Sequence, residues 1–277
     1  MKLTVRGREE IVGERTLVMG ILNATNDSFF DGGRYADRSR AVDQGLAMCE
    51  DGADIIDVGG ESTRPGAEPV EAKDEIEKVV PIVSALAEKI DVPISVDTYK
   101  AEVAREAIQA GASIINDISA MRFDEGMAGV AAAAGVPVVI MHMKGTPRSM
   151  QDDPSYDDAV REIAAFLAER VRYAEEKGVS RECVIVDPGI GFGKTTEHNL
   201  QILRGIKSFR DTGCPVLVGP SRKSFIGNVL ELPVAERLEG TAAAVAASVM
   251  NGADIVRVHD VKEMVRVVRL TDAIARG

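Results

Sequence analysis

The sequence predicts an α/β fold, a closed (β/α)8 TIM barrel that makes one domain of residues 1–277 and carries a short hairpin at its N-terminal end. Three observations lead there. Eight short β-branched apolar runs recur along the chain, each followed by a longer Ala/Glu/Lys/Arg-rich stretch with helical spacing. The runs are apolar on both faces, as parallel strands covered by helices must be. No linker, composition break or low-complexity segment divides the 277 residues, a length that suits one barrel of about 250 residues.

Residues 2–12 precede the first repeat and are expected to form the hairpin that closes the barrel bottom. The strands are then expected at 17–23, 54–59, 93–98, 113–118, 137–143, 183–187, 215–220 and 254–259. Several follow nearly identical lead-ins: GAD at 52–54, GAS at 111–113, GAD at 252–254, and the variant GVP at 135–137. Glycine just past a helix can take the left-handed conformation that stops it. The alanine-rich stretches 131–134 and 242–247 read as helix faces packed close to strands.

Composition excludes several function classes. Lys plus Arg total 33 against 44 Asp plus Glu, a net charge of -11, so the molecule as a whole repels nucleic acid and anionic membrane. An anionic ligand must therefore be captured by local basic groups. The cysteines, Cys49, Cys183 and Cys214, form neither a CxxC pair nor an even set, which predicts packed, reduced thiols in a cytoplasmic protein. The longest apolar stretch, 130–141, is broken at Gly135 and Pro137 and is too short to span a bilayer, and no signal peptide is visible.

Polar residues close nearly every predicted strand: Asn23, Asp57, Asp97, Asn116, His142, Asp187, Ser221 with Lys223, and Arg257 with His259. In this fold those ends face one mouth, where active sites are built. Capping would explain any one of them. It does not explain all, because each polar group that leaves water needs its own partner. Arg257 and His259 are two residues apart and so share a strand face, and loops after the last two strands commonly hold phosphate. With Asn23 on the adjoining first strand, they form a candidate anion site; alternation turns Arg257 inward, against the alternative of a surface pair with Asp260. Asp97 and Asp187 are candidate acceptors for a ligand with parallel N–H donors, and Lys223 the complementary donor, unless Lys223 bridges one of these carboxylates.

Two glycine-rich segments do not carry nucleotide motifs. Residues 188–195 start with Pro188 where a P-loop needs glycine, and 57–63 lacks dinucleotide-binding spacing, so its glycines read instead as the start of a loop over the mouth. His142 and His259 lack zinc-ligand spacing and His198 falls at a helix start, so a metal held by protein alone is not expected.

The ordered set MGILN (19–23), DSF (27–29), GESTRPG (60–66), SVDT (95–98), INDI (115–118), MHM (141–143), DPGIGFGK (187–194), SRK (221–223) and RVHDV (257–261) resembles the dihydropteroate synthase family over essentially the whole chain. The resemblance implies condensation of 6-hydroxymethyl-7,8-dihydropterin diphosphate with p-aminobenzoate. It implies Asp97, Asn116, Met141, Asp187 and Lys223 around the pterin, and Asn23, Thr63, Arg257 and His259 on the diphosphate with Mg2+, for which Asn23 is the implied ligand. Two loops would close over the mouth, placing Thr25, Asp27, Ser28, Phe29, Ser62, Thr63, Arg64 and Pro65 with Phe192, Lys223 and Ser224 around p-aminobenzoate. Asp97, Lys223, Arg257 and His259 would carry the catalysis, and a homodimer is implied. One departure stands out: Asn26 occupies a position where the family carries proline. Rival readings are the related barrel methyltransferases, which need no diphosphate site, and a non-catalytic pterin-binding paralogue.

Overall fold

The computed structural model describes residues 2–5, 8–24, 33–63 and 66–276, without the side chains of 2–5, 8–11 and 33–37. The hairpin is present as β1 (Lys2–Val5) antiparallel to β2 (Arg8–Ile11). Eight parallel strands follow: β3 (Leu17–Asn23), β4 (Ile55–Gly59), β5 (Ile94–Asp97), β6 (Ile114–Asp117), β7 (Val138–Met141), β8 (Val184–Asp187), β9 (Leu217–Val218) and β10 (Ile255–Val258). They run in the sheet order β8-β7-β6-β5-β4-β3-β10-β9. A parallel bridge between Val186 and Val216, with the Val186 N–H donating to the Pro215 carbonyl at 2.9 Å, joins the two ends into a barrel.

The connecting helices are α1 (Gly33–Glu50), α2 (Ala72–Ala87), α3 (Ala101–Gln109), α4 (Met127–Ala134), α5 (Ala159–Glu176), α6 (Thr196–Arg204), α7 (Ser224–Leu230), α8 (Leu238–Met250) and α9 (Val261–Arg276). Both alanine-rich stretches fall in helices, α4 and α8. The β9 ladder is shorter than the expected 215–220, because Pro215 and Pro220 have no N–H to give it.

The repeated lead-in has a clear cause. At Gly52, Gly111 and Gly252 the φ angle is +98°, +116° and +98°. Each time the following alanine N–H reaches back five residues, Ala53 to Met48, Ala112 to Ala107 and Ala253 to Ser248, all at 2.9 Å. This Schellman closure satisfies helix-end carbonyls and aims the chain into the next strand. The next residue adds a second device at two of the three sites. Asp54 accepts from the Val18 N–H at 2.8 Å and Asp254 from the Val216 N–H at 2.9 Å, each on the neighbouring strand and each paired with an arginine, Arg15 or Arg210.

Alternation sorts the strands into two cores. Val12, Leu17, Met19, Ile55, Ile114, Val139, Ile185, Leu217 and Ile255 fill the barrel interior, so the residue just after the hairpin packs into the lower core. Residues one step along, such as Ile56, Ile115, Val138, Val184, Val216 and Val256, pack outward against helix residues including Val83, Ala104, Leu167, Ile202 and Val245. Each fully buried Val, Leu or Ile contributes about 1.5–3 kcal/mol relative to exposure. Local capping also adds: Thr195 accepts from the His198 N–H at 3.2 Å while His198 Nδ1 accepts from the Thr195 N–H at 3.3 Å. Thr195→Ala should lower stability by about 1 kcal/mol, visible as a lower urea midpoint with an unchanged slope. None of the described helices is long and apolar enough to cross a membrane.

Candidate active site at the barrel mouth

The site follows from the two-residue step of a strand. Two residues beyond the interior apolar positions Ile55, Ile114, Val139, Ile185 and Ile255 stand Asp57, Asn116, Met141, Asp187 and Arg257. Asp97 stands two beyond Ser95 on β5. The barrel is thus apolar below and polar above. Register levels part of this ring: Asn23, Gly59, Asp97 and Asn116 are Cα partners across β3, β4, β5 and β6, while Met141 and Asp187 are partners across β7 and β8.

Arg257 lies at its centre. Its Nε donates to Asp57 Oδ2 and its Nη2 to Asp97 Oδ2, both at 2.6 Å. The alternative of a surface pair with Asp260 does not form, since Arg222 takes that carboxylate with Nε at 2.8 Å and Nη2 at 2.5 Å. Asn116 Nδ2 also donates to Asp57 Oδ2, at 3.0 Å. Burial pushes the Asp97 carboxyl up to about 7, against the pull of Arg257 and with a push from Asp57. Burial raises Asp187 to about 6, opposed by the Gly189 N–H that donates to it at 2.7 Å and by the charge of Lys223. Neutralising either would free the mouth of a buried charge; keeping both ionised suits a ligand that brings N–H donors.

Lys223, the residue before α7, holds Nζ 4.1 Å from the centroid of the Phe192 ring, and Ser224 opens that helix. Phe192 packs with Ile118, Met141, Met143 and Met150 in a separate apolar cluster, a wall beside the polar ring. At the other side His259 Nδ1 lies 3.0 Å from Ser221 Oγ, which also accepts from the His259 backbone N–H at 3.2 Å. With its oxygen accepting there, the hydroxyl can give its proton to Nδ1 and leave Nε2 the imidazole donor. Burial and the neighbouring Arg257 lower His259 to about 4, so it is neutral at pH 7.

Ser62 and Thr63 follow β4 and are half-buried. Their loop is pinned at its root: Glu61 accepts from the Val70 N–H at 3.2 Å, from Tyr99 Oη at 2.7 Å and from Lys100 Nζ, which also contacts Glu75. Thr25, Asn26, Asp27, Ser28, Phe29, Arg64 and Pro65 lie outside the described residues.

One strand-end residue does not join the mouth. His142 turns its ring outward, 4.8 Å from that of Phe166 on α5, and its Nδ1 lies 3.0 Å from buried Lys194 Nζ. Burial lowers it to about 2, so it is a neutral packing group. The reason is alternation: Met141 faces in, so His142 must face out. Asp57, a strand end to which the sequence alone assigns no role, proves to be the hub that accepts from Arg257 and Asn116; its two-residue spacing from Ile55 was the available signal. Behind the wall, a Cβ at Gly189 (φ +69°) would sit 2.0 Å from the His142 carbonyl oxygen. Gly189→Ala should therefore displace the 188–195 segment and with it Phe192, seen as a large loss of both stability and ligand binding.

Comparison with known proteins fits this geometry. Residues 19–259 match the pterin binding enzyme family. A dihydropteroate synthase from Synechocystis sp. is 48% identical, with 95% of this chain and 92% of that one aligned. Among solved structures, the dihydropteroate synthase of Yersinia pestis in a sulfonamide drug complex matches at a TM-score of 0.94 and 42% identity, covering 100% of both chains. That of Xanthomonas albilineans with 4-aminobenzoic acid matches at 0.92 and 42%, covering 99% of this chain and 97% of that one. The chain belongs to the pterin-binding enzymes and, within them, to the dihydropteroate synthase family.

Proposed function

We propose that this chain condenses 6-hydroxymethyl-7,8-dihydropterin diphosphate with p-aminobenzoate, giving 7,8-dihydropteroate and diphosphate. The observation that carries the reading is the inward polar ring, Asp97, Asn116 and Asp187 with Lys223, set beside the Met141 and Phe192 wall in a family whose Xanthomonas albilineans member was solved with 4-aminobenzoic acid. A pterin is flat, with N–H donors along one edge and acceptors along another. Asp187 and Asp97 accept from the donor edge, Asn116 meets a mixed edge, and Lys223 donates to an acceptor.

The carbon–oxygen bond to the diphosphate breaks and its electron pair leaves with the diphosphate. The amine nitrogen of p-aminobenzoate then bonds to the freed methylene carbon and loses a proton. A neutral aniline needs no strong base, so the demand falls on the leaving group. Arg257 and the neutral His259 donor would bind it, joined by Thr63 from the loop after β4. Asn23, at the end of β3, offers a hard amide oxygen of the kind Mg2+ accepts beside substrate phosphates, and would hold the ion. When bound there, Mg2+ supplies further positive charge to the departing oxygens. Ser62, Ser224 and Phe192 would line the approach of the second substrate, and the family resemblance assigns Thr25, Asp27, Ser28, Phe29, Arg64 and Pro65 to the same site.

The same reading takes the protein as a homodimer. Supporting it, large apolar side chains remain exposed on the outer helices: Val229 and Leu230 on α7, Met250 on α8, Leu270 and Ile274 on α9. Sedimentation equilibrium should give twice the chain mass.

The activity is tested by mixing the protein with the pterin diphosphate, p-aminobenzoate and Mg2+ and following pyrophosphate and dihydropteroate together. Equimolar formation of both is expected. Pterin binding without turnover would instead mark a non-catalytic paralogue.

A further inference from the structure

We propose that Asp57 is a positioning residue for pterin recognition, which fixes which face of the Asn116 carboxamide the ligand meets and holds Arg257 in register with it. This deepens the proposed function and rests on that reading. The observations are geometric. Asp57 is fully buried, and its Oδ2 accepts from both Asn116 Nδ2 at 3.0 Å and Arg257 Nε at 2.6 Å. Asn116 is itself 4% exposed and sits on the inward ring beside Asp97.

A carboxylate can only accept. Facing Asp57, the Asn116 carboxamide must present its NH2 to the carboxylate, and the flipped orientation would set oxygen against oxygen in a buried site. The amide is therefore locked with Oδ1 left over as an acceptor for a ligand N–H. A neutral side chain at 57 with both a donor and an acceptor would lose this selection, since either amide orientation could then be matched. The same carboxylate oxygen holds Arg257, whose other terminus reaches Asp97 at 2.6 Å, so one buried group ties the amide, the arginine and the second acceptor into one arrangement. Asp57 Oδ1 has no partner among the described residues, so structural satisfaction accounts for only one of its two oxygens. Asp57 thus acts on the pterin through Asn116, while its hold on Arg257 serves the diphosphate, which a pterin without that group does not report.

The test is a double-mutant cycle on pterin affinity, using Asp57→Asn, Asn116→Ala and the double variant with 6-hydroxymethylpterin as the probe in titration calorimetry. Asp57→Asn alone should weaken binding by about tenfold or more, the scale of one charge-assisted hydrogen bond. In the Asn116→Ala background the same change should have at most a third of that effect on a logarithmic scale, because the group it orients is gone. Additive effects, or unchanged affinity in Asp57→Asn, overturn the proposal, since a purely structural role would not depend on Asn116. If Asp57→Asn does not fold, crystals of the wild-type protein with the same pterin decide. Asn116 still bonded to Asp57 while its oxygen meets a ligand N–H supports the proposal, and an Asn116 swung away from Asp57 overturns it. Wild-type turnover is measured first: turnover with an additive cycle removes only the role of Asp57, whereas absence of both turnover and pterin binding removes the reading beneath it.

Discussion

Asp187→Asn should abolish useful pterin binding and, at the same time, make the empty protein more stable at pH 8. The first effect follows from loss of charge-assisted hydrogen bonds worth about 1.5–3 kcal/mol each, so two of them cost on the order of a hundredfold or more in affinity. The second follows from burial. The carboxyl of Asp187 is raised from 3.8 to about 6, because desolvation outweighs the Gly189 N–H and the charge of Lys223. A carboxyl raised on folding favours the folded state most below pH 4, and that contribution is lost as pH rises through 6. Asparagine is spared this loss while its oxygen can still accept from Gly189. The gain should be on the order of 1–3 kcal/mol at pH 8 and vanish near pH 4. Thermal melts at the two pH values, with pterin calorimetry beside them, check both halves. A variant that binds pterin tightly would remove Asp187 from the pterin-accepting ring, and one destabilised equally at both pH values would show that burial does not raise its carboxyl.

Arg257→Ala should be the more damaging change to the protein itself. Asp57 and Asp97 would then share a buried mouth without the cation that both contact, and breaking a buried pair of this kind costs about 3–5 kcal/mol. The defect should shrink as pH falls toward and below 7, because protonation of Asp97, already pushed up by burial, removes one of the two neighbouring charges. Turnover should drop by about 10²–10³, the scale of one lost electrostatic donor at a developing negative charge. Arg257→Lys should recover part of the stability but less of the turnover, since an ammonium cannot span Asp57 and Asp97 as the guanidinium fork does. Denaturant titrations at pH 5 and pH 8, paired with kcat/KM for the pterin diphosphate, measure these effects. Full stability in Arg257→Ala would show that the two carboxylates do not depend on it.

The barrel was legible because its signals are local and repeated. A Gly-Ala lead-in becomes the same Schellman closure three times, and period-two apolar runs become two cores, one inside the barrel and one outside. Parity along a strand also decided the site: Arg257 and Asp187 point inward as spacing requires, and His142 points out for the same reason, although as a strand-end polar residue it looked equivalent. What spacing cannot convey is the partner across the barrel. Asp57 and Arg257 are 200 residues apart and touch only because β3 joins β4 to β10. The pairing of Lys194 with His142 behind the apolar wall was hidden likewise, since a glycine-rich segment gives no sign of which carbonyls its lysine will find.

The most direct test of the pocket is a crystal structure of the wild-type protein with 6-hydroxymethylpterin. The ring should lie at the C-terminal ends of the strands, with its donor edge within hydrogen-bond distance of Asp187 and Asp97, Asn116 and Lys223 on its remaining polar atoms, and one edge against Met141 and Phe192. A pterin bound away from Asp187, or outside the ring formed by β5, β6, β7 and β8, would contradict the assignment of this mouth as the pterin site.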